Sequence, residues 1–325
     1  MDNIHAFGVL ADGRAVQAIT ITAEGISATL LTWGAVLQDL RMGGVDRSLT
    51  LGSDSLADYE GAMRFHGSLI GPVVNRISGA RTVIAGQEYQ FDANLDGRLT
   101  LHSGDAAGTH LKLWDLVEAG PAHVVLGITL ADGEGGFPGN RRVTARFSVA
   151  SGMLRMEVSG ESDAPTILNF ANHSYWNLDG TGSWAGHSLK IAADHWLPTN
   201  SDFCPTGEVL DVAGSAMDFR DGHRIAPGGP DLDNCFCPSD GPRDLREVLW
   251  LTGVSGVRMA VATTDPGVQV YDGRNAIRPG RQAYEGIAVE CQGWPDASNH
   301  AAFPSIFVEP GQTYQQITEW RFSRG

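Results

Sequence analysis

Lysine is almost absent from this chain of 325 residues, which contains only Lys112 and Lys190. In total 23 basic residues stand against 38 acidic ones, and the formal net charge is −15. The arginines are scattered, and no basic run with interleaved aromatic residues occurs. Because a negatively charged surface repels nucleic acids and anionic lipids, we expect no nucleic-acid partner.

Long apolar runs are also missing. No stretch approaches the roughly 20 apolar residues of a membrane-spanning helix, and the first residues, MDNIHAFGVL, lack the features of an export signal. We therefore expect no membrane association and a cytoplasmic location. Cysteine is scarce as well, and the spacing of Cys235 and Cys237 fits neither a CxxC redox motif nor a zinc site. Reduced thiols are expected at all four cysteines.

Several sequence motifs of metal and nucleotide sites are absent. The ten histidines form no HxH or HExxH pair, and the chain has no acid-rich calcium loop, Walker loop or GxSxG elbow. Residues 180–185 match GxGxxA, but they lead into a strand-like segment instead of a helix, so we attribute the match to chance. The sequence predicts no metal and no cofactor.

What the chain does contain is glycine, 41 residues of it, and many short β-rich segments. Clusters of Gly, Pro, Asp and Asn separate these segments, a rhythm typical of antiparallel strands. The clearest predicted strands are residues 16–21, 25–31, 124–130, 142–149 and 154–158, and residues 81–91 read as a hairpin.

Helical patterns are few. Residues 55–61 and 244–251 could each form one or two turns. No linker or repeat divides the chain, so we expect one domain over residues 1–325. The predicted fold is all-β, a single large antiparallel β-sandwich with few short helices.

Polar residues interrupt apolar segments at several places. Asn75 and Arg76 lie between aliphatic residues, where the planar guanidinium suits a structural ion pair and a hydroxyl or carboxylate ligand equally well. His102 ends a strand-like run, and His173 is the centre of the polar stretch NFANHSYWNL, residues 169–178. A lone histidine in such a setting is more often structural than catalytic.

Two acidic residues complete this group. Glu290 directly follows an aliphatic run, and if it lies inside the sandwich, desolvation would raise its pKa toward the working range of a general base. An outward-facing strand glutamate is the alternative. Asp233 lies in a loop-like segment, where acids commonly cap turns, and carries little weight by itself.

Together these segments resemble the aldose 1-epimerases, also called galactose mutarotases. The resemblance covers nearly the whole chain and is carried by Asn75-Arg76-Ile77, Leu101-His102, residues 172–178, Asp218-Phe219-Arg220, residues 266–271, the stretch from Glu290 to His300, Phe303-Pro304-Ser305 and Pro310-Gly311.

The resemblance implies a β-supersandwich whose open cleft holds a monosaccharide, without a cofactor. It implies His173 as catalytic acid and Glu290 as catalytic base, with sugar contacts from Asn75, Arg76, His102 and Asp233. We expect a monomer or a homodimer. Trp176, Trp294 and Tyr271 are candidates for stacking on the sugar or, alternatively, buried aromatic residues.

Three positions depart from the family pattern. Pro72 stands where an arginine is common, and Ser103 replaces the first glycine of a His-Gly-Gly turn. His66 is also unexpected, and we interpret it as a surface histidine, with a sugar contact as the alternative. These changes affect the expected substrate preference.

Three other functions remain open at this point. A hexose-phosphate 1-epimerase would share the chemistry but would need an arginine cluster for the phosphate. A non-catalytic carbohydrate-binding protein would keep only the cleft. A polysaccharide hydrolase or lyase would need a second catalytic carboxylate, and Asp233 is the available candidate.

Overall fold

A computed structural model describes residues 3–325 of the chain as β-strands joined by turns, with two short α-helices. In chain order the strands are β1 Ile4–Val9, β2 Ala15–Ala23, β3 Ile26–Leu31, β4 Leu37–Met42, β5 Leu69–Ile70, β6 Arg76–Ile77, β7 Arg81–Ile84, β8 Gln87–Gln90, β9 Thr100–Leu101, β10 Asp115–Ala119, β11 His123–Leu130, β12 Arg141–Ala150, β13 Met153–Ser162 and β14 Thr166–Ile167. They continue as β15 Ala171–Asn172, β16 Tyr175–Trp176, β17 Ser188–Ile191, β18 His195–Trp196, β19 Leu210–Asp211, β20 His223–Arg224, β21 Asp233–Cys237, β22 Arg246–Thr252, β23 Val257–Thr263, β24 Gly267–Tyr271, β25 Ile287–Gln292, β26 Phe307–Val308 and β27 Tyr314–Arg324. The helices are α1 Leu56–Glu60 and α2 Gly104–Ala107.

Alternation of apolar and polar residues explains the longest strands. In β12 the side chains of Val143, Ala145 and Phe147 are buried, and the residues between them are half-buried. A strand places successive side chains on opposite faces, so this period of two turns one face toward the core. Gly152, with φ of +67°, supplies the left-handed backbone of the turn that joins β12 to β13.

Three sheets form the sandwich. The largest has nine strands in the order β10-β11-β12-β13-β27-β23-β22-β17-β20, the second has six in the order β16-β25-β24-β21-β18-β19, and the third is the meander β1-β2-β3-β4. One hydrophobic core draws on all three, for example through Phe147 of the first, Val289 of the second and Leu30 of the third. The predicted antiparallel all-β sandwich with few short helices is confirmed.

Most local predictions are confirmed. The five strands predicted most clearly correspond to β2, β3, β11, β12 and β13, the hairpin is β7–β8, and the first predicted helix contains α1. The predicted helix at residues 244–251 is wrong, because this segment forms most of β22, paired with β17 and β23. Its valine, leucines and tryptophan suit a packed sheet surface, and pairing on both sides outweighs a short helical pattern.

Candidate active site

A cavity of 390 Å³ opens where the six-stranded sheet meets the loops before and after β6, β9 and β15. This volume is in the range of small-molecule sites, about 300–1,000 Å³. All six predicted site residues line it, although they come from five separate parts of the chain: Asn75, Arg76, His102, His173, Asp233 and Glu290.

Glu290 reaches the cavity because of strand alternation. In β25 the side chains of Ile287, Val289 and Cys291 belong to the main hydrophobic core, so Glu290 points from the opposite face. It is buried, and its Oε2 has no hydrogen-bond partner among residues 3–325. Burial, and next the nearby charge of Asp233, raise the pKa of Glu290 well above its ordinary value, while Arg76 acts in the opposite direction.

His173 lies between β15 and β16 and is fixed by its own backbone. Its N–H donates to the carbonyl of Ser68 at 2.9 Å, and its carbonyl accepts from the N–H of Gly67 at 3.0 Å. The Asn172 amide donates to the carbonyl of Gly67 at 2.8 Å, and its oxygen accepts from the N–H of Ser174 at 3.2 Å. The asparagine beside the histidine therefore holds the loop that presents the imidazole.

Sheet register brings these two residues together. Tyr175 pairs with Ala288 between antiparallel β16 and β25, and in such a pair the residues two before and two after are again opposite. His173 Nε2 accordingly lies 3.5 Å from Glu290 Oε1. Burial lowers the pKa of His173 to about 4, and its Nδ1 is also without a partner within the described part of the chain.

Asn75 and His102 face each other across the ribbon formed by β6 and β9. The Asn75 N–H donates to His102 Nδ1 at 3.1 Å, and the His102 N–H donates to the Asn75 carbonyl at 2.9 Å. Because Nδ1 accepts, Nε2 of His102 carries the hydrogen and is a donor. Burial, followed by the neighbouring charge of His173, keeps the pKa of His102 well below its ordinary value.

Arg76 and Asp233 form the other side of the cavity. Arg76 Nη2 lies 3.7 Å from Asp233 Oδ2, and Gln269 donates to Asp233 Oδ1 at 2.8 Å. Gln269 is also the direct cross-strand neighbour of Glu290. Burial raises the pKa of Asp233, and the Arg76 guanidinium opposes that rise. Glu290, Gln269 and Asp233 therefore lie on the adjacent strands β25, β24 and β21 of one sheet, and His173 lies beside Glu290 in the loop before β16.

The chain is also similar to known proteins over most of its length. A sequence model of the family described as aldose 1-epimerase matches residues 17–321. The chain belongs to the aldose 1-epimerase family.

Individual relatives span almost the same length. The chain is 30% identical to the mouse galactose mutarotase over 98% of this chain and 97% of that protein. It is 30% identical to the aldose 1-epimerase of Escherichia coli K12 over 96% of each chain. An aldose epimerase homologue from C. elegans superposes with a TM-score of 0.88 at 27% identity, covering 95% of this chain and 99% of the homologue.

Two departures from the aldose 1-epimerase pattern lie outside the cavity lining. The Ser103 hydroxyl donates to the Val73 carbonyl at 2.8 Å and accepts from the Val73 N–H at 2.7 Å, so its role is structural. The carbonyl of Pro72 accepts from the N–H of Asn169 at 2.7 Å. Neither side chain lines the cavity.

The interpretation of His66 as a surface residue is wrong. The residue is only 2% exposed, and it lines the cavity. Among the aromatic candidates, Tyr271 lines the cavity, whereas Trp176 and Trp294 belong to hydrophobic clusters. Trp176 points into the core because Tyr175, its neighbour in β16, points into the cavity.

Sequence reasoning missed several residues around the cavity. Phe65, Arg274 and Phe203 line it. Phe203 has a φ of +58°. The guanidinium of Arg76 lies over its ring, with 5.2 Å between Arg76 Cζ and the ring centroid. None of the three carries a local signal, since a phenylalanine in a loop and an arginine near acids are common surface features.

Two further findings concern the described part of the chain, residues 3–325. It contains no group of three or more His, Cys, Asp or Glu side chains arranged to hold a metal ion. It also contains no helix long and apolar enough to cross a membrane.

Proposed function

We propose that this isomerase interconverts the α and β anomers of a free monosaccharide, with Glu290 as the base and His173 as the acid. One observation carries the assignment of roles. A carboxylate and an imidazole, both buried, lie 3.5 Å apart on one cavity and each keeps an atom without a partner among the described residues. Perturbed titratable groups in a cleft are typical of catalytic acids and bases.

Anomer exchange needs two proton transfers. Glu290 removes the proton from the hydroxyl on C1, and the bond between C1 and the ring oxygen breaks as the C1 carbonyl forms. His173 delivers a proton to the ring oxygen. Rotation about C1–C2 and closure on the other face reverse both transfers and give the other anomer. General acid–base assistance of this kind contributes about 10²–10⁴-fold, and side chains of this chain supply both groups, so no cofactor takes part in the proposal.

The charge state of the pair is consistent with these roles. Burial favours the neutral forms, with the proton on Glu290 and a neutral His173. Moving that one proton to His173 gives the carboxylate and the imidazolium without changing the number of protons. Their attraction at 3.5 Å offsets part of the desolvation of both charges. The form that reacts is therefore the form of the pair that holds one proton.

The remaining predicted residues suit the hydroxyls of a neutral sugar. His102 offers an Nε2–H donor, Arg76 offers guanidinium donors, and Asp233 is a hydrogen-bond acceptor. Asn75 binds the N–H of Arg76 through its side-chain oxygen at 2.9 Å, which leaves its amide group as a further donor.

A phosphorylated sugar suits the cavity less well. Of the three arginines on it, Arg76 faces Asp233 at 3.7 Å, Arg274 is bonded to Asp272 at 2.6 Å, and Arg64 lies 3.7 Å from Asp105. A phosphate would therefore compete with carboxylates for every arginine.

A hydrolase is also disfavoured by the contacts of Asp233. Its Oδ1 accepts from Gln269 and its Oδ2 faces Arg76. Glycoside hydrolysis uses a second catalytic carboxyl group beside the scissile bond, whereas the contacts of Asp233 with Gln269 and Arg76 group it with the side chains that suit the sugar hydroxyls.

Anomer exchange measured by NMR across a panel of neutral aldoses and aldose phosphates tests the proposal. Glu290→Gln is expected to lower the rate by about 10²–10⁴-fold. Glu161→Gln is the control, because Glu161 is an exposed strand glutamate outside the cavity. Exchange unchanged in the Glu290 variant would remove the proposed base, and exchange only with phosphorylated sugars would favour the other substrate class.

We also propose that residues 1–325 act as one domain in the cytoplasm, as a monomer or a homodimer. One hydrophobic core joining all three sheets supports the single domain. Four buried cysteines without a disulfide, Cys204, Cys235, Cys237 and Cys291, suit a reducing compartment. A single cooperative unfolding transition and the mass from light scattering test the domain and the oligomeric state.

A further inference from the structure

His66 is buried and touches the cavity, but the proposed reaction gives it no task. Its side chain is 2% exposed, and neither ring nitrogen has a hydrogen-bond partner among residues 3–325. A buried polar group without a partner costs free energy, and an apolar side chain of the same shape would avoid that cost. A histidine at this position is therefore unfavourable to the fold unless a ligand or an ordered water satisfies its nitrogens.

The ring of His66 is held in place. It stacks on Tyr175, with 4.3 Å between ring centroids and 30° between the planes. Its backbone N–H donates to the Met63 carbonyl at 2.8 Å. The next residue, Gly67, has φ of +72°, and a Cβ there would collide with the carbonyl oxygen of Leu37. Gly67 also binds the backbone of His173, so one rigid segment places both histidines on the cavity.

The chemistry of this ring suits a hydroxyl group. Burial, and then the charges of His173 and Arg278, lower the pKa of His66 to about 3, so the imidazole is neutral around neutral pH. A neutral imidazole has one N–H donor and one acceptor nitrogen, and a hydroxyl likewise donates and accepts. A carboxylate or phosphate only accepts, so it would leave the acceptor nitrogen of His66 without a partner.

We propose that His66 is a specificity-determining residue that hydrogen-bonds a hydroxyl of the bound sugar other than the anomeric one. The proposal rests on the proposed function, in which Glu290 serves the anomeric hydroxyl and His173 serves the ring oxygen. The hydroxyl bound by His66 is therefore one of those that take no part in bond breaking. Such a contact is equal in the ground state and the transition state, so it acts on KM and not on kcat.

His66→Phe tests this directly, because phenylalanine keeps a ring of similar size against Tyr175 and removes both polar atoms. We expect KM for the preferred aldose to rise about tenfold and kcat to stay within about twofold. His66→Gln keeps a donor and an acceptor and should recover part of the loss. His110→Phe is the matched control, since His110 is buried to the same extent and its ring likewise packs on an aromatic side chain, that of Phe65, but it does not line the cavity.

A panel of monodeoxy sugars identifies the hydroxyl. The wild type should lose about tenfold in kcat/KM on one analogue, and His66→Phe should lose nothing further on that analogue. Unchanged KM for His66→Phe on every sugar would overturn the proposal. An equal loss on every deoxy sugar would also overturn it, because the effect would then be structural. If the phenylalanine variant does not fold, the same comparison with His66→Gln decides, since its loss must again vanish on one analogue.

Binding separates this proposal from the catalytic one. An NMR titration with the aldose in the Glu290→Gln background measures Kd without turnover. His66→Phe added to that background should weaken Kd about tenfold, whether or not Glu290 is the base. An unchanged Kd would contradict the role of His66, whereas retained exchange in Glu290→Gln alone would contradict the proposed function.

Discussion

At the scale of single residues, one proton on the pair of Glu290 and His173 controls the proposed reaction. With two protons the pair contains no base, and with none it contains no acid. Burial lowers the pKa of His173 to about 4 and raises that of Glu290 above its ordinary value. Because the residues lie 3.5 Å apart, the two titration steps belong to the pair as a unit.

This arrangement predicts the pH dependence. After subtraction of the uncatalysed exchange, kcat/KM should follow a bell-shaped profile. Its acidic limb should lie near the lowered pKa of about 4, where the second proton binds. Its alkaline limb should lie above the ordinary range of a glutamate, where the last proton leaves. Polarimetry in buffers of constant ionic strength measures both limbs.

Glu290→Gln provides the check on that assignment. The pH profile of the residual rate should lose its bell shape in this variant, because glutamine does not titrate and His173 is the one titratable member of the pair that remains. An alkaline limb that stays unchanged in the variant would show that another group sets it.

The placement of His66 is the part of the site that the local sequence did not predict. His66, His102, His110 and His173 are single histidines in short loops or at strand ends, and nothing local separates them. The fold makes His66 a cavity residue by burying it on Tyr175, and it leaves His110 outside the cavity lining. Burial and neighbours decide the role of such a residue, and neither can be read from the chain.

At the scale of elements, Asn172 positions the catalytic loop. Asn172→Asp keeps the acceptor for the Ser174 N–H but places a carboxylate oxygen against the Gly67 carbonyl in place of the donated hydrogen bond. We expect the free energy of unfolding to fall by about 1–3 kcal/mol. We also expect kcat to fall, because Gly67 and its neighbour Ser68 hold the backbone of His173 by hydrogen bonds.

Urea unfolding and anomer exchange on the same samples measure both effects. Asn200→Asp is the matched control, because the Asn200 side-chain oxygen only accepts, from Asp202 and Cys204. A normal kcat in a destabilised Asn172→Asp would mean that this asparagine supports the fold without positioning His173.

Strand alternation made the long strands predictable, since β12 and β13 bury one face throughout. The short ones were not predictable. β15 and β16 have two residues each, and they form because β15 pairs with β5 and β16 pairs with β25. The same pairing outweighed the helical pattern of residues 244–251, which became β22. The local sequence pattern therefore predicts strands with many apolar–polar alternations, and it fails where pairing with a distant strand determines the secondary structure.

At the scale of the whole molecule, the fold also buries a carboxyl group that does not line the cavity. Asp265 accepts from Gln316 and Thr263, and burial raises its pKa to about 7. A raised pKa means that the folded state binds the proton more tightly than the unfolded state. The stability from Asp265 is therefore fully present below the ordinary pKa of 3.8 and is lost as pH rises through about 7.

Asp265→Asn should remove this dependence. The amide keeps an acceptor and has no charge to bury. The free energy of unfolding of the variant minus that of the wild type should rise between about pH 4 and pH 7, by roughly 1.4 kcal/mol per pH unit at most, and then level off. Denaturant titrations across this range measure the difference, and a difference that does not change with pH would contradict the buried ionisation of Asp265.

The arrangement of the complete site belongs to this scale as well. Each motif could be found in the chain, and family resemblance named Glu290 and His173 together. Their separation of 3.5 Å depends on the register of β16 against β25, with Tyr175 opposite Ala288. A shift of one residue would turn Glu290 into the core. Register is a property of the assembled sandwich, so the motifs alone could not supply the distance.

Anomer exchange in four proteins tests the central claim most directly: wild type, Glu290→Gln, His173→Asn and the double variant. If the two side chains act on one hemiacetal, each single variant should lose about 10²–10⁴-fold and the double variant little more than the worse single one. Circular dichroism and unfolding curves confirm that the variants are folded. A single variant that exchanges anomers at the wild-type rate, or losses that simply multiply in the double variant, would contradict the account.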